Sequence, residues 1–302
     1  MSAIRIPRAG SSLAGLLFEP DFSGRKAPGI VVIHPRGEGR GEEQAVRTYA
    51  RRLSEKGYVT ISYDISLHGR SEGSIALRED PTARVTDVSA VVDCLQKLKE
   101  VDASKVLAVG IGEGGGYAVA AAKGDHRIRA VAVINAINIG DDARLGRFGD
   151  ADPSQQTAAL AQVALAIQAE VQGEPAVSAR RASEQLGDRT TLDREQGHEY
   201  RSAISAQHAQ NRMSLRSVPL ILQFDAWSFA DSYLVQPTLI IVAEKAESRW
   251  HSEKLHEKIR WRNNNVKKIA VPVGRDTDFY DDDDYVNLAI DEIDSYFKQF
   301  GY

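Results

Sequence analysis

The chain has one cysteine, Cys94, which excludes an internal disulfide; its helical spacing with Val91 and Leu95 marks it as a buried, inert thiol. It lacks any apolar run near the roughly 18 residues a membrane helix needs, and stretches such as Gly29 to Ile33 have the length of strands. The opening MSAIRIPRAG has no basic flank followed by a long apolar core, so a cytoplasmic protein is expected. No charge of one sign dominates. Thirty-eight Lys and Arg against 42 Asp and Glu leave a net charge of −4, and the basic residues are scattered, which argues against nucleic acid or an anionic membrane surface as a partner. The histidines His126, His198, His208, His251 and His256 show no metal-ligand spacing, so neither a metal nor a cofactor is expected. A small-molecule substrate is the expected partner, and a homodimer stays open.

What the chain does have is alternation. Ala3 to Ile6 and Leu13 to Phe18 read as a leading antiparallel hairpin. Then follow a buried strand Gly29 to His34, a helix Glu42 to Lys56, a strand Tyr58 to Tyr63 and a helix Pro81 to Glu100 with proline in its first turn. Val106 to Val109 is a third strand, which passes through a glycine-rich turn into a helix Gly115 to Ala122, and Ala130 to Ile134 is a fourth. This order predicts an α/β fold with a doubly wound, mostly parallel sheet. Between about Asp141 and Ser217 the strand signal stops, and Leu160, Val163, Ile167 and Val171 recur at helical spacing. The pattern resumes with a strand Thr238 to Val242, a helix Ser252 to Arg260, a strand Val266 to Val271 and a helix from Asp283 to Phe300. Residues 141–217 are therefore expected to be a helical cap inserted into one core formed by 1–140 and 218–302. The acidic run Asp281 to Asp284 falls where a helix begins, where the helix dipole favours it.

The segment VLAVGIGEGGGYAVAAA from Val106 carries glycines at the strand-to-helix turn. Two readings compete. A phosphate-cradling loop is expected on the first strand of a sheet, with an acidic residue at the end of the next. A nucleophile elbow is a strained turn flanked by small residues, because strand and helix pack too closely there for side chains. Here the turn follows the third parallel strand, which favours the elbow. Gly110 and Gly114 take the small positions, and Gly112 stands where a nucleophile would.

With HPRGEGRGEEQ from His34, YDISLHGRSEG from Tyr63, EDPTARVTDV from Glu79, GIGEGGGYA from Gly110, FDAWSFAD from Phe224 and DFYDDDDYV from Asp278, the chain resembles the α/β hydrolases related to fungal polyketide transferases and their bacterial relatives. The resemblance spans nearly the whole chain and implies the α/β-hydrolase fold. In that family the elbow is G-x-C/S-x-G-G-G-Y, an acid follows the late strand, and a histidine precedes the D-x-Y-D segment. The matching positions here are Gly112, Glu247 and Asp276, so the resemblance implies a degenerate catalytic triad that keeps only its acid.

Glycine offers neither oxygen nor sulfur for acyl-enzyme chemistry. The remaining titratable candidates are Glu113, Glu247, Asp276, His34 and His68. Carboxylates sharing a cleft raise one another's pKa, so that one serves as acid and another as base. The resemblance places a second oxyanion donor in the backbone of Arg36 or Gly37, beside the first from Glu113. His34 reads equally as a structural imidazole, Glu113 as a helix-start acid, and Glu247 and Asp276 as solvated loop acids. Arg36, Arg40 and Arg70 crowd one edge and suit an anionic substrate, although surface arginines are common. Trp227 and Phe229 either line a pocket or belong to the core. The expectation is non-hydrolytic acid/base chemistry, a cyclisation, isomerisation, dehydration or C–C bond change, on a polyketide-like or other carbonyl compound. A silent binding protein and a residual hydrolase that activates water through Asp276 are the alternatives.

Overall fold

The computed structural model describes residues 1–21, 24–35, 44–66, 71, 78–146, 148–174, 178–180 and 212–302. Strands β1 (Ser2–Arg8) and β2 (Ser11–Phe18) form the leading hairpin, with Ile6 opposite Leu13. β2 pairs antiparallel with β4 (Val59–Tyr63). From β4 the sheet continues in parallel through β3 (Ala27–Ile33), β5 (Val101–Ile111), β6 (Ile128–Ile134), β9 (Thr238–Ala243) and β10 (Val266–Val271). The eight-stranded order is β1-β2-β4-β3-β5-β6-β9-β10.

The middle strands are continuous apolar runs because both of their faces are covered. Alternate residues enter two cores. Val31, Ile33, Val133, Leu95 and Tyr117 pack on the side of helices α2 (Pro81–Lys97) and α3 (Glu113–Gly124). Ile30, Val32, Leu53, Ile241 and Phe297 pack on the side of α1 (Gln44–Glu55) and the final helix (Asp283–Gln299). Local signals set the helix starts. Asp80 caps α2 by accepting from the N–H groups of Thr82 and Ala83, with Pro81 next in line. Asp282 caps the final helix by accepting from Asp284 N–H, and Asp283 and Asp284 follow in its first turn. Cys94 is buried on α2, and burial pushes its thiol pKa up. No described helix is long and apolar enough to cross a membrane.

Between β6 and β9 lie α4 (Ile139–Leu145), α5 (Gln156–Val171), a two-stranded ladder β7 (Ser178–Arg180) with β8 (Arg212–Ser214), α6 (Ser217–Gln223) and α7 (Ala230–Tyr233). The ladder corrects the expectation that no strand interrupts residues 141–217. Its three-residue strands are too short to show periodicity. α5 is the expected helix, but of its apolar residues only Ala159 and Val163 are buried, while Leu160, Leu165 and Val171 are exposed. Two further boundaries differ. β5 begins at Val101, five residues before the apolar run, and reaches Ala27 of β3 across a register shift. α3 begins at Glu113, directly after Gly112. The last helices are α8 (Arg249–Ile259), the single turn α9 (Asp278–Asp281) and α10, the Asp283–Gln299 helix.

β3 connects onward through α1 to β4 on one side, and its neighbour β5 connects onward through α3 to β6 on the other, so the connections from these two adjacent strands leave in opposite directions. Open parallel sheets bind ligands in the crevice at such a switch point. Here it lies between His34–Pro35 and Gly112.

Candidate active site

Gly112 joins β5 directly to α3, with φ +56° and ψ −125°, a conformation that strains any residue with a side chain. Its N–H donates to Ile134 O at 2.9 Å and its carbonyl accepts from Ile137 N–H at 2.9 Å, so the end of β6 and the segment just after it hold the turn on both sides. The flanking glycines are required by contact: a Cβ on Gly110 would stand 2.3 Å from Gly114 O, and one on Gly114 would stand 2.3 Å from Ile33 O. α3 is thus pressed onto β5 and β3. A Cβ on Gly112 itself would lie 3.0 Å from the Tyr280 hydroxyl and 3.1 Å from Pro35 Cβ. Sequence reasoning did not single out Tyr280. Its phenol stands where a side chain on the turn would project.

Glu247 follows β9 and Asp276 follows β10, on neighbouring loops. Lys245 N–H donates to Gly274 O at 3.0 Å, which ties the two loops together. Asp276 is 1 % exposed and accepts a hydrogen bond from Ser248 Oγ, with Ser248 N 3.5 Å from its other oxygen. Glu247, the neighbour of Ser248, is half-buried. Tyr280 is four residues beyond Asp276, on α9. That turn is pinned by Phe279, which is fully buried in edge contact with Tyr285, and by Tyr49, whose hydroxyl donates to Phe279 O at 3.1 Å. Three non-glycine residues have positive φ among those described: Asn135, Phe229 and Val273. Asn135 ends β6 and Val273 precedes the Asp276 loop, so backbone strain gathers on this edge. Asn135 Oδ1 accepts from Ala243 N–H at 2.8 Å, holding β9 against β6.

Glu113 belongs to a second group, on the α2 side. It is 1 % exposed, and its charge helps raise the pKa of Tyr117, one turn along α3. Burial is the larger cause of that rise, followed by Glu79, which accepts from the Tyr117 hydroxyl at 2.7 Å. Arg84 completes the group. Its guanidinium lies 4.5 Å from the centre of the Tyr117 ring and 3.8 Å from Glu79, and Nη2 donates to His34 O at 2.9 Å. Burial opposes the charge of Arg84, yet Glu79 and the neighbouring groups hold its pKa above the ordinary value. His34 is fully buried. Its Nδ1 donates to Pro35 O at 2.6 Å, which leaves Nε2 as the acceptor 3.5 Å from Arg84 Nη1. The imidazole is therefore built into the wall of the crevice. Ser217 Oγ accepts from Glu79 N–H at 2.9 Å and brings the start of α6 to the same wall.

Arg36, Gly37, Arg40, His68 and Arg70 lie outside the described residues. Trp227 is buried in the core on the α2 side, whereas Phe229, 63 % exposed, is neither core nor wall. Phe229 holds a left-handed turn at the start of α7, which points its ring to solvent beside Tyr233. Arg84, Glu79 and Tyr117 went unrecognised as a unit because their contacts join separate helices. The only trace in the sequence was their place in EDPTARVTDV and GIGEGGGYA. His251 on α8 is also buried; its ring stacks on Trp250 at 3.6 Å, and burial, with Lys254 adding to it, lowers its pKa to about 3.

The arrangement matches proteins already known. The chain is 34% identical over 294 residues to the protein YcjY of Escherichia coli (strain K12), covering 95% of this chain and 93% of that one. The crystal structure of the hypothetical protein PA2218 from Pseudomonas aeruginosa superposes with a TM-score of 0.87 at 23% identity, over 99% of this chain and 92% of that one. The α/β hydrolase GrgF from Penicillium sp. sh18 superposes with a TM-score of 0.83 at 15% identity, over 99% and 98% of the two chains. The expected α/β-hydrolase fold is thus the observed one. Residues 10–269 match the model of the family described as X-Pro dipeptidyl-peptidase (S15 family), and the chain belongs to that family.

Proposed function

We propose that this chain is an α/β-hydrolase-fold enzyme that has lost the side-chain nucleophile and moves protons on a carbonyl-containing small molecule, polyketide-like in chemistry. The observation that carries this reading is the turn at Gly112, a positive-φ glycine whose would-be Cβ stands 3.0 Å from the Tyr280 hydroxyl and 3.1 Å from Pro35 Cβ. On this reading the triad is degenerate, with Asp276 in the place of the histidine. The expected cap, residues 141–217, lies partly outside the described residues.

Asp276 acts as the base. Its buried carboxylate, oriented by Ser248, removes a proton from the carbon next to the substrate carbonyl, and the negative charge moves to the carbonyl oxygen. The N–H groups at the start of α3 lie at its positive dipole end and stabilise that oxygen. Glu247 flanks the base, while Glu113 and the Arg84 group form the opposite wall. The enolate then takes up a proton at carbon or attacks a second carbonyl, which gives isomerisation or cyclisation. No step needs a cofactor.

Exchange of the C2 proton of ethyl 2-methylacetoacetate in deuterium oxide, followed by NMR, tests this. The wild-type protein should speed exchange above the buffer rate, and Asp276→Asn should reduce that acceleration about 100-fold or more. 4-Nitrophenyl acetate should be cleaved no faster than in buffer. Rapid cleavage of the ester, with exchange left at the buffer rate, would instead support water activation by Asp276 and a hydrolase, in line with the family match.

A further inference from the structure

We propose that the amino end of the sheet, opposite the crevice, is a docking surface for an anionic phospholipid bilayer, where a basic cleft holds headgroup phosphate and four exposed apolar side chains enter the interface.

Two features meet there. The first is a cleft of about 670 Å³ between the end of α2, the start of β5 and the segment that leads into β6. Lys105, His126, Arg127 and Arg129 line it, and no carboxylate side chain is in the lining. Arg127 is held by Asp93 and Asp125, and Lys105 donates to Gly301 O at 2.7 Å, so these cations are placed in advance. The second feature is apolar. Phe229, Tyr233, Val235 and Trp261 are each more than half exposed. The Phe229 and Tyr233 rings are 5.9 Å apart, and Asn263, two residues beyond Trp261, donates to Leu234 O and Gln236 O on either side of Val235. Single exposed apolar residues are ordinary, whereas several gathered in one place mark an interaction surface. His126 joins the cleft to the patch, since its Nε2 donates to Tyr233 O at 3.2 Å.

Charge selects the occupant. Lys105, Lys123, Arg129, Lys258 and Arg262 form no ion pair among the described residues, and Arg260 lies 4.4 Å over the Trp261 ring. Lys123 Nζ donates to Ser228 O at 2.6 Å, beside Phe229. Burial lowers the Lys123 pKa to about 8, with Asp225 opposing and Lys258 adding to the shift, so the ends of α3 and α8 are close. Asp102, Asp225 and Asp231 stand against these cations, and the first two are turned onto Ser104 and Asn138. This end is therefore positive on a chain whose net charge is −4. A second copy would bring the same cations to the same place, which opposes self-association. Phosphate beside hydrocarbon is the chemistry of a phospholipid surface, and lysine, arginine, tryptophan and tyrosine are the side chains that meet it. Spacing along the chain argues against such a partner because these cations are spread from residue 105 to residue 262; the fold gathers them. The protein lies on the bilayer without spanning it, and its crevice opens toward the water.

Co-sedimentation of the full chain with vesicles tests this. The wild type should pellet with vesicles of phosphatidylcholine mixed with phosphatidylglycerol and stay in solution with phosphatidylcholine alone, and added salt should weaken the binding. Trp261 emission should shift to the blue on binding. Trp261→Ser should lower the partition coefficient about 10-fold or more, and Lys105→Gln and Arg129→Gln about 5-fold each. Lys245→Gln, at the crevice end, should leave it unchanged; an equal loss there would mean adsorption by overall charge and overturn the proposal. Failure to pellet with either vesicle, or equal pelleting with both, overturns it as well. Two other occupants have their own signatures. Calorimetric binding of free glycerol 1-phosphate, lost in Arg129→Gln and unaccompanied by vesicle binding, would make the ligand a soluble phosphate and remove the bilayer. Self-association that Trp261→Ser abolishes, again without vesicle binding, would give the patch to a second copy and remove it too.

Discussion

A side chain returned to Gly112 meets two obstacles, a positive φ and the Tyr280–Pro35 contact. Gly112→Ser should therefore destabilise the protein by about 1–3 kcal/mol in urea unfolding and leave 4-nitrophenyl acetate uncleaved. On the proposed reading of Asp276 in the histidine's place, the second effect is compounded, because a serine without a base is a weak nucleophile. His251 gives a separate residue-scale prediction. Its folded pKa of about 3 lies below the ordinary 6.5, so between those values the unfolded chain takes up a proton that the folded protein refuses. Stability from the neutral imidazole is complete above pH 6.5 and is lost as pH falls toward 3. His251→Phe should flatten the fall of Tm between pH 6.5 and 4. Gly112 and Asp276 stood out in the sequence because the resemblance supplied a pattern to set each against. Tyr280 did not, since it reaches the turn across the sheet edge from a segment far along the chain.

At the scale of elements, the wall of the crevice depends on α2 and α3 being joined by Arg84, Glu79 and Tyr117. Removing Arg84 leaves the buried Glu79 carboxylate uncompensated, so Arg84→Met should cost about 3–5 kcal/mol in chemical unfolding. Adding Glu79→Gln should recover a large part of that, because the orphaned charge goes with it. α3 is pressed against β3 so tightly that Gly114→Ala, with its Cβ 2.3 Å from Ile33 O, should fail to give soluble protein. The same contact explains an error of boundary. Glycine has low helix propensity, which points to a helix starting at Gly115, yet close packing needs those glycines and pulls the first turn back to Glu113. The apolar strands β3, β6 and β9 could be found to within a few residues, because strands covered on both faces are apolar almost throughout. The β7–β8 ladder could not, since three residues carry no period.

Across the whole molecule, burial is uneven. Strands β3, β4, β6 and β9 are almost wholly enclosed, while α5 buries only Ala159 and Val163. Hydrogen exchange should show this as slow amides in β3, β5, β6 and β9 and fast ones along α5, measured by mass spectrometry on the intact protein. Equal protection of α5 and the sheet would mean that something covers the exposed Leu160, Leu165 and Val171, and a second copy of the chain would reveal itself by the concentration dependence of that protection.

The stacked Trp250 and His251 rings also make the molecule its own optical gauge. A neutral imidazole against an indole leaves fluorescence largely intact, whereas an imidazolium at 3.6 Å quenches it by electron transfer. Trp227 is buried, Trp250 half-buried and Trp261 open to solvent, so Trp261→Phe removes the exposed emitter and leaves the light of Trp250 readable over that of Trp227. As acid is added, its dimming marks the moment when water first reaches the floor between α8 and the sheet.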